Sequence, residues 1–287
     1  MRASRHLWPG LVISCFAIAL AFTASCRQGT NATPAGMYLG FDRNDYPGDE
    51  ALPILRKTFF FTSYWLGPPP GEKKSTWSGK RGRLESKGFG FVVLFNAREG
   101  KALRGLFDAR QKGLVDAKSA ARLAREEGFA AGTVIFLDVE EGGRLTAGYH
   151  EYLKAWALEL ERSGFRAGVY CSAIPVDEGG GVSITTAQDI ATREAASNFI
   201  FWVYNDACPP SPGCSFSQQE MKPEQSGFAR AAVWQYAQSP RRAEFTAHCP
   251  ANYAADKNCY APGDEKHKWF LDGNVAETGN PSGEVKK

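Results

Sequence analysis

Eight short apolar runs, rich in β-branched and aromatic residues and separated by helical patterns, constrain the fold of this chain more than any other feature. They occupy residues 38–42, 59–66, 89–97, 133–140, 167–172, 199–205, 231–237 and 269–275. Between them, residues 116–127 (DAKSAARLAREE) and 149–163 (YHEYLKAWALELERS) space apolar side chains three and four apart, and each segment runs into a glycine that suits a helix C-terminus. Residues 186–196 carry a further helical pattern, and 49–57 and 81–87 weaker ones. Strands alternating with helices build βαβ units and a parallel sheet. Eight strands are the count of a closed barrel, whereas a doubly wound sheet usually places a Gly-rich phosphate loop after its first strand. Here that position reads Arg43-Asn44-Asp45-Tyr46-Pro47. The expected fold is therefore α/β, a single TIM-type (β/α) barrel over residues 37–277. It should be irregular in its last three strands, because the connections after strands six and seven are long, rich in proline or cysteine, and lack clear amphipathic helices. Residues 278–287 read as a disordered tail.

The N-terminus carries a targeting pattern. Arg2, Arg5 and His6 precede an apolar run over 11–22, and Thr23-Ala24-Ser25 stand directly before Cys26. Residues 1–25 thus read as a secretory signal, since the apolar run is shorter than the about 20 residues of a membrane span; an uncleaved anchor is the alternative. The segment resembles a bacterial lipobox with Thr23 in place of the usual Leu, which implies acylation of Cys26 and a membrane-anchored lipoprotein. Ordinary cleavage nearby would instead give a secreted protein. Residues 26–36, rich in Gly, Thr, Asn, Ala and Pro, make a flexible tether.

Export permits disulfides. Of the 7 cysteines, Cys15 leaves with the signal and Cys26 carries lipid, leaving five. Cys208 and Cys214 bracket one turn-rich loop and Cys249 and Cys259 another, so two local bridges are expected, with Cys171 a buried free thiol inside a strand.

Composition excludes other classes. The net charge is +3, and no basic run interleaved with aromatics marks a nucleic-acid ligand. His6, His150, His248 and His267 are scattered, and no Cys/His cluster has zinc-ligand spacing, so no structural metal is expected. Nothing points to a state beyond monomer.

Reactive groups of a (β/α) barrel lie where strands end at the C-terminal face, and four acids stand there: Asp42, Asp138, Glu140 and Asp272. Residues i and i+2 of a strand share a face, so Asp138 and Glu140 point together into the mouth while Leu137 and Val139 face the helices. Two carboxylates held close in a partly dry site cannot both ionise easily, which keeps one protonated near neutral pH. Such a pair suits glycoside hydrolysis, where a carboxylic acid protonates the leaving oxygen and a carboxylate or the substrate's acetamido group stabilises the cation. A lone acid at a strand end more often caps a helix, and acids at strand ends can also hold magnesium or calcium. Tyr170, Trp202, Tyr204, Trp234, Gln235 and Tyr236 lie near the same rim, where aromatic faces suit the C–H faces of sugars. Alternation along 231–237 puts Gln235 on the side opposite Trp234 and Tyr236.

The Asp138-Val139-Glu140 strand end, Gly168-Val169-Tyr170-Cys171-Ser172, Val233-Trp234-Gln235-Tyr236 and Asp272 resemble, in order and spacing, the lysozymes of glycoside hydrolase family 25. Gly40-Phe41-Asp42 extends the likeness to a related bacterial group, the Rv2525c-like glycoside hydrolase-like domain (DUF1906). The resemblance implies a modified barrel, Glu140 as general acid, Asp138 beside it, Asp42 and Asp272 flanking the sugar, and no cofactor. Tyr170, Trp202, Tyr204 and Gln235 would contact substrate, a cell-envelope polysaccharide such as peptidoglycan. After strand two, family 25 muramidases usually carry a Lys-Ala-Thr-Glu-Gly-like segment, whereas this chain reads Tyr64-Trp65-Leu66-Gly67-Pro68. That departure leaves a non-catalytic glycan-binding barrel as the alternative; a metal-dependent hydrolase would usually include histidines.

Overall fold

The computed structural model describes residues 36–193, 198–208, 221–237 and 271–283, with 206–208 described by their backbone alone. Eight strands close into a barrel. In order around the wall they are β1 (Tyr38–Asp42), β2 (Phe61–Trp65), β3 (Gly90–Asn96), β4 (Val134–Asp138), β5 (Arg166–Ser172), β8 (Ile200–Cys208), β9 (Ala231–Ala237) and β10 (Asp272–Ala276). Each coincides with one of the eight apolar runs, so the TIM-type barrel stands.

The sheet is not wholly parallel, which corrects the expectation. Strands β1 to β9 pair in parallel around the wall, but β10 runs antiparallel to both β9 and β1. An antiparallel neighbour needs no crossover back to the starting end. β10 therefore begins at the end where β9 finishes, and this reversal brings its first residue, Asp272, to the mouth. Two short strands absent from the sequence reading, β6 (Val176–Gly179) and β7 (Val182–Ile184), form a hairpin after β5. Gly179, Gly180 and Gly181 make its turn with positive φ, a conformation glycine adopts without steric cost.

The helices are α1 (Leu52–Leu55), α2 (Arg81–Ser86), α3 (Leu106–Glu126), α4 (Ala147–Arg162) and α5 (Thr186–Arg193). α4 starts at Thr146, whose hydroxyl accepts the Tyr149 N–H at 3.2 Å. α3 begins well before residue 116, because its first turn exposes Leu106 and Phe107 and so hides the amphipathic pattern. Its later turns bury Gly113, Ala117, Ala120, Ala121 and Ala124. A Cβ on Gly113 would lie 2.4 Å from the Tyr152 carbonyl oxygen of α4, so the two backbones touch there.

Inside the barrel, large rings fill the space left by glycines. The Phe61 ring occupies the room a Cβ on Gly40 would take, and Phe136 does the same at Gly168. Trp202 meets Phe136 edge to face at 5.8 Å. At the opposite end from the mouth, part of the expected disordered tail is ordered. Ser282 donates its N–H to Phe91 O, accepts the Val93 N–H on its hydroxyl and the Val134 N–H on its carbonyl, and is 1% exposed. The open N–H and C=O groups at the starts of β3 and β4 hold this segment in place, a signal that sequence periodicity does not carry.

Cys171 is buried and free. The signal 1–25, Cys26, the tether up to residue 35, the Cys208, Cys214, Cys249 and Cys259 side chains and residues 284–287 lie outside the described residues.

Candidate active site

Four acids converge at the mouth. β1 and β10 place Asp42 and Asp272 directly opposite one another in register, on the same face of adjacent antiparallel strands. Asp138 closes β4 beside Tyr170 of β5 and Asn96 of β3. Glu140 follows two residues on. Burial and the negative charges of Asp42, Glu140, Asp138 and Asp272, all felt at one phenol, push Tyr170 far above the usual tyrosine range.

A buried polar layer fixes Asp42. One of its oxygens accepts N–H groups from Gln235 at 2.8 Å and from Asn274 at 2.7 Å. The Gln235 carbonyl in turn accepts the Tyr170 hydroxyl at 2.9 Å, and the Asn274 carbonyl accepts the Trp202 indole N–H at 2.9 Å. Gln235 and Asn274 are 2% and 0% exposed, so each polar atom in this layer needs such a partner. Asn274 escaped the sequence reading. Its signal was the i+2 spacing from Asp272, the rule that also pairs Asp138 with Glu140.

Asp138 is 4% exposed, while Glu140 reaches solvent in the mouth above it. Burial first, then the charge of Glu140 and of Asp42, raises Asp138 well above the ordinary carboxylate range. Glu140 is raised too, first by the protein packed around it and then by Glu141 and Asp272, while its bond with Asp138 opposes the rise. Asp138 Oδ2 is buried without a hydrogen-bond partner. Both shifts run toward keeping a proton on the pair, with Asp138 as its buried member and Glu140 as the one open to a ligand.

The aromatic residues divide as alternation predicts. Tyr170 lies stacked at 5.4 Å on Tyr204 and edge to face at 4.8 Å on Trp202. Trp202 is 1% exposed and props this layer from below, whereas Tyr204 is partly exposed at the rim. Trp234 points away from the interior, its indole N–H bonding Asn205 O at 2.9 Å, and packs on Tyr236 at 6.1 Å. β2 brings Ser63 and Trp65, not an acid, to the mouth, both tied to the Arg43 backbone.

A cavity of about 320 Å³ opens beside the pair, lined among others by Asn96, Arg98, Glu141 and Tyr149. Asp116 of α3 holds the Arg98 guanidinium with two bonds of 2.7 Å and also accepts the Tyr152 hydroxyl at 2.9 Å. Asn96, Arg98 and Glu141 did not stand out in the sequence, because each lies in a polar loop or at a strand end without a repeating pattern, and Tyr149 was read only as the start of a helical pattern. Among the described residues, no group of three His, Cys, Asp or Glu side chains is arranged to hold a metal ion.

A closed α/β barrel with interior carboxylates at its mouth has the architecture of a glycoside-hydrolase-like domain. Residues 73–269 match the family described as Rv2525c-like, glycoside hydrolase-like domain, and the chain belongs to that family. Asp138 and Glu140 fall within the matched span; Asp42 and Asp272 lie outside it. No curated protein matches the chain. Among solved structures, an uncharacterized B. stearothermophilus protein shares the fold with a TM-score of 0.51 and 17% identity, over 83% of this chain and 95% of that one. The Mycobacterium tuberculosis Tat-secreted protein Rv2525c, in complex with L-tartrate, aligns with a TM-score of 0.49 and 13% identity, over 84% and 95% of the two chains. A bacterial lysozyme from Streptomyces coelicolor aligns with a TM-score of 0.45 and 13% identity, over 84% and 92%.

Proposed function

We propose that this chain is an exported hydrolase of glycosidic bonds in a cell-envelope polysaccharide such as peptidoglycan, with Glu140 as the general acid. The observation that carries this reading is the placement of Asp138 and Glu140 at the end of β4, both lining an open cleft and both raised by burial and neighbouring charge. Glu140 gives its proton to the glycosidic oxygen; the bond from that oxygen to the anomeric carbon breaks, and its electron pair leaves with the oxygen. Water then adds to the anomeric carbon and returns a proton to Glu140. In this reading Asp138 holds the protonation of its neighbour or orients the substrate's acetamido group, and stabilisation of the cation falls to that group or to Asp42 and Asp272. Tyr170, Tyr204 and Gln235 complete the sugar subsite, with Trp202 supporting it from beneath.

The same reading includes a signal over 1–25, acylation of Cys26, a tether to residue 36, bridges Cys208–Cys214 and Cys249–Cys259, and no cofactor. The mass of the mature N-terminal peptide tests the acylation, and thiol titration before and after reduction tests the bridges.

A barrel that binds glycan without cleaving it is the second reading, favoured by the acid-free end of β2. Release of reducing ends from purified peptidoglycan and a panel of bacterial polysaccharides, compared between the chain and its Glu140→Gln variant, decides. Activity lost in the variant supports the hydrolase; no activity from either, with saturable glycan binding by both, supports the binding barrel.

A further inference from the structure

The chain between β4 and α4 carries Glu140 and then reads Glu141-Gly142-Gly143-Arg144-Leu145. Two adjacent glycines give this loop little stiffness of its own, and Gly143 sits at φ +72°, in the left-handed region that glycine adopts without steric cost. A carboxyl on such a loop keeps one place only if neighbouring elements hold the backbone. Two elements do so, from opposite sides.

α5 holds one side. The buried Thr186 hydroxyl donates to the Glu141 carbonyl at 3.0 Å. Asp189, 1% exposed, accepts the Leu145 N–H at 2.8 Å, and the His150 ring Nε2 lies 2.9 Å from the same oxygen. Guanidinium nitrogens of Arg144 and Arg193 each lie 3.6 Å from its other oxygen. An acid in the first turn of a helix usually serves that helix. Here Thr185 and Gln188 already cap α5, with Gln188 N–H on Thr185 Oγ1 at 3.0 Å and Thr185 N–H on Gln188 Oε1 at 3.1 Å. Asp189 instead directs one oxygen to the end of the loop and to α4, and shares the other between Arg144 of the loop and Arg193. A buried carboxylate is costly unless paired and hydrogen-bonded, so these partners tie the loop end firmly to α5.

The β6–β7 hairpin holds the other side. A Cβ on Gly143 would lie 3.1 Å from Val176 Cβ, and Glu178 takes the Arg144 guanidinium with bonds of 2.8 and 2.7 Å. From the β3 side, the Glu141 carboxylate accepts the Gly100 N–H. We infer that Thr186 and Asp189 are positioning residues: through the Glu141 carbonyl and the Leu145 N–H they fix the loop that carries Glu140, with the hairpin packed on it from outside. Neither residue lines the cavity beside Asp138 and Glu140, so each acts through the backbone. This role rests on the reading of Glu140 as the general acid.

The experiment uses the full chain isotope-labelled at glutamate Cδ and followed by carbon NMR, with the Glu140 signal assigned by its loss in Glu140→Gln. In the parent, Glu140 should titrate above the ordinary glutamate value of 4.5. In Thr186→Val and in Asp189→Asn the loop is freer and Glu140 moves into water. Its midpoint should then fall toward 4.5, since burial is the first cause of its rise. Thr186→Ser keeps the hydroxyl and should restore the parent midpoint. Ser282→Ala, at the far end of the barrel, lowers stability without touching the loop and should leave the midpoint in place. In reducing-end release, kcat of Thr186→Val should drop roughly ten- to hundredfold with KM little changed, the effect of a small misplacement of a reacting group. The parent midpoint in both Thr186→Val and Asp189→Asn would overturn the inference, and so would an equal fall in Ser282→Ala or in Thr186→Ser. A parent that releases no reducing ends counts against the acid reading alone, because the midpoints decide the positioning either way.

Discussion

Asn274 and Gln235 stand opposite one another on β10 and β9 and give an amide N–H to the same oxygen of Asp42, at 2.7 and 2.8 Å. Their carbonyls face away, toward Trp202 and Tyr170, so each amide's orientation is set by partners on both sides. That oxygen of Asp42 is therefore fixed as an acceptor between β9 and β10. The mouth thus has a carboxyl held by amides on β1 and, on β4, an acid pair raised by burial and neighbouring charge.

Replacing Asn274 by Ala removes a donor to Asp42 and the acceptor of the buried Trp202 indole. Leaving buried polar groups unpaired costs about 1–3 kcal/mol each. The variant should unfold at lower urea by an amount equivalent to about 2–4 kcal/mol, with an unchanged m-value. A loss below about 0.5 kcal/mol would mean that the layer does not hold Asp42.

The Asp138→Asn variant tests the raised acid through the pH dependence of stability. Between the ordinary carboxylate value near 3.8 and the raised value of the folded state, the unfolded chain has released the Asp138 proton while the native chain keeps it. The unfolded state then binds fewer protons, so native stability falls as pH rises through that window. An asparagine can still donate to Glu140 but has no proton to lose. The difference in stability, variant minus parent, should therefore grow in favour of the variant from about pH 4 to about pH 7, measured by urea unfolding at both. An unchanged difference would place the proton elsewhere.

General acid catalysis contributes typically about 10²–10⁴-fold. Glu140→Gln should lose reducing-end release by that factor while its thermal midpoint stays within about 2 °C, because the side chain reaches solvent and supports no buried partner except Asp138. In the parent, activity should fall on the alkaline side as the pair loses its shared proton, at a pH above the ordinary carboxylate range. Retained activity in the variant would remove Glu140 from the acid role.

Much of this arrangement was legible in the residues. Runs 38–42 and 231–237 coincide with β1 and β9 end for end, because strands covered on both faces are continuous apolar stretches bounded by polar ones. Alternation alone put Gln235 on the side opposite Trp234 and Tyr236, and the structure shows Gln235 to be the one bonded inside the barrel mouth. The direction of β10 was not legible, since an apolar run reads the same in a parallel or antiparallel neighbour. For that reason Asp272 was assigned to the mouth by a rule about C-terminal strand ends, although it reaches the mouth as the first residue of its strand. Arg98 and Glu141 were missed because single polar residues owe their positions to the closure of the barrel and carry no periodic signal, whereas the i+2 spacing of Asn274 from Asp272 was there to be read.

The segment after β10 shows the same limit and yields the last prediction. Its composition suggested fraying, yet Ser282 and Asn280 satisfy main-chain groups at the starts of β3 and β4: Phe91 N–H bonds Asn280 Oδ1 at 2.9 Å, Val93 N–H bonds Ser282 Oγ at 2.8 Å, and Val134 N–H bonds Ser282 O at 2.9 Å. A Cβ on Gly90 would lie 2.0 Å from the Gly279 carbonyl, so the segment lies directly against β3. Ser282→Ala removes one acceptor from a buried N–H and should cost about 1–3 kcal/mol. Ending the chain after Glu277 removes all of these bonds and should cost more, with faster amide exchange at Phe91, Val93 and Val134 than at β9. Gly90→Ala should reproduce part of that exchange pattern by pushing the segment away. Equal stability of the truncated and full chains, with those three amides still protected, would show that the strands close this end of the barrel without it.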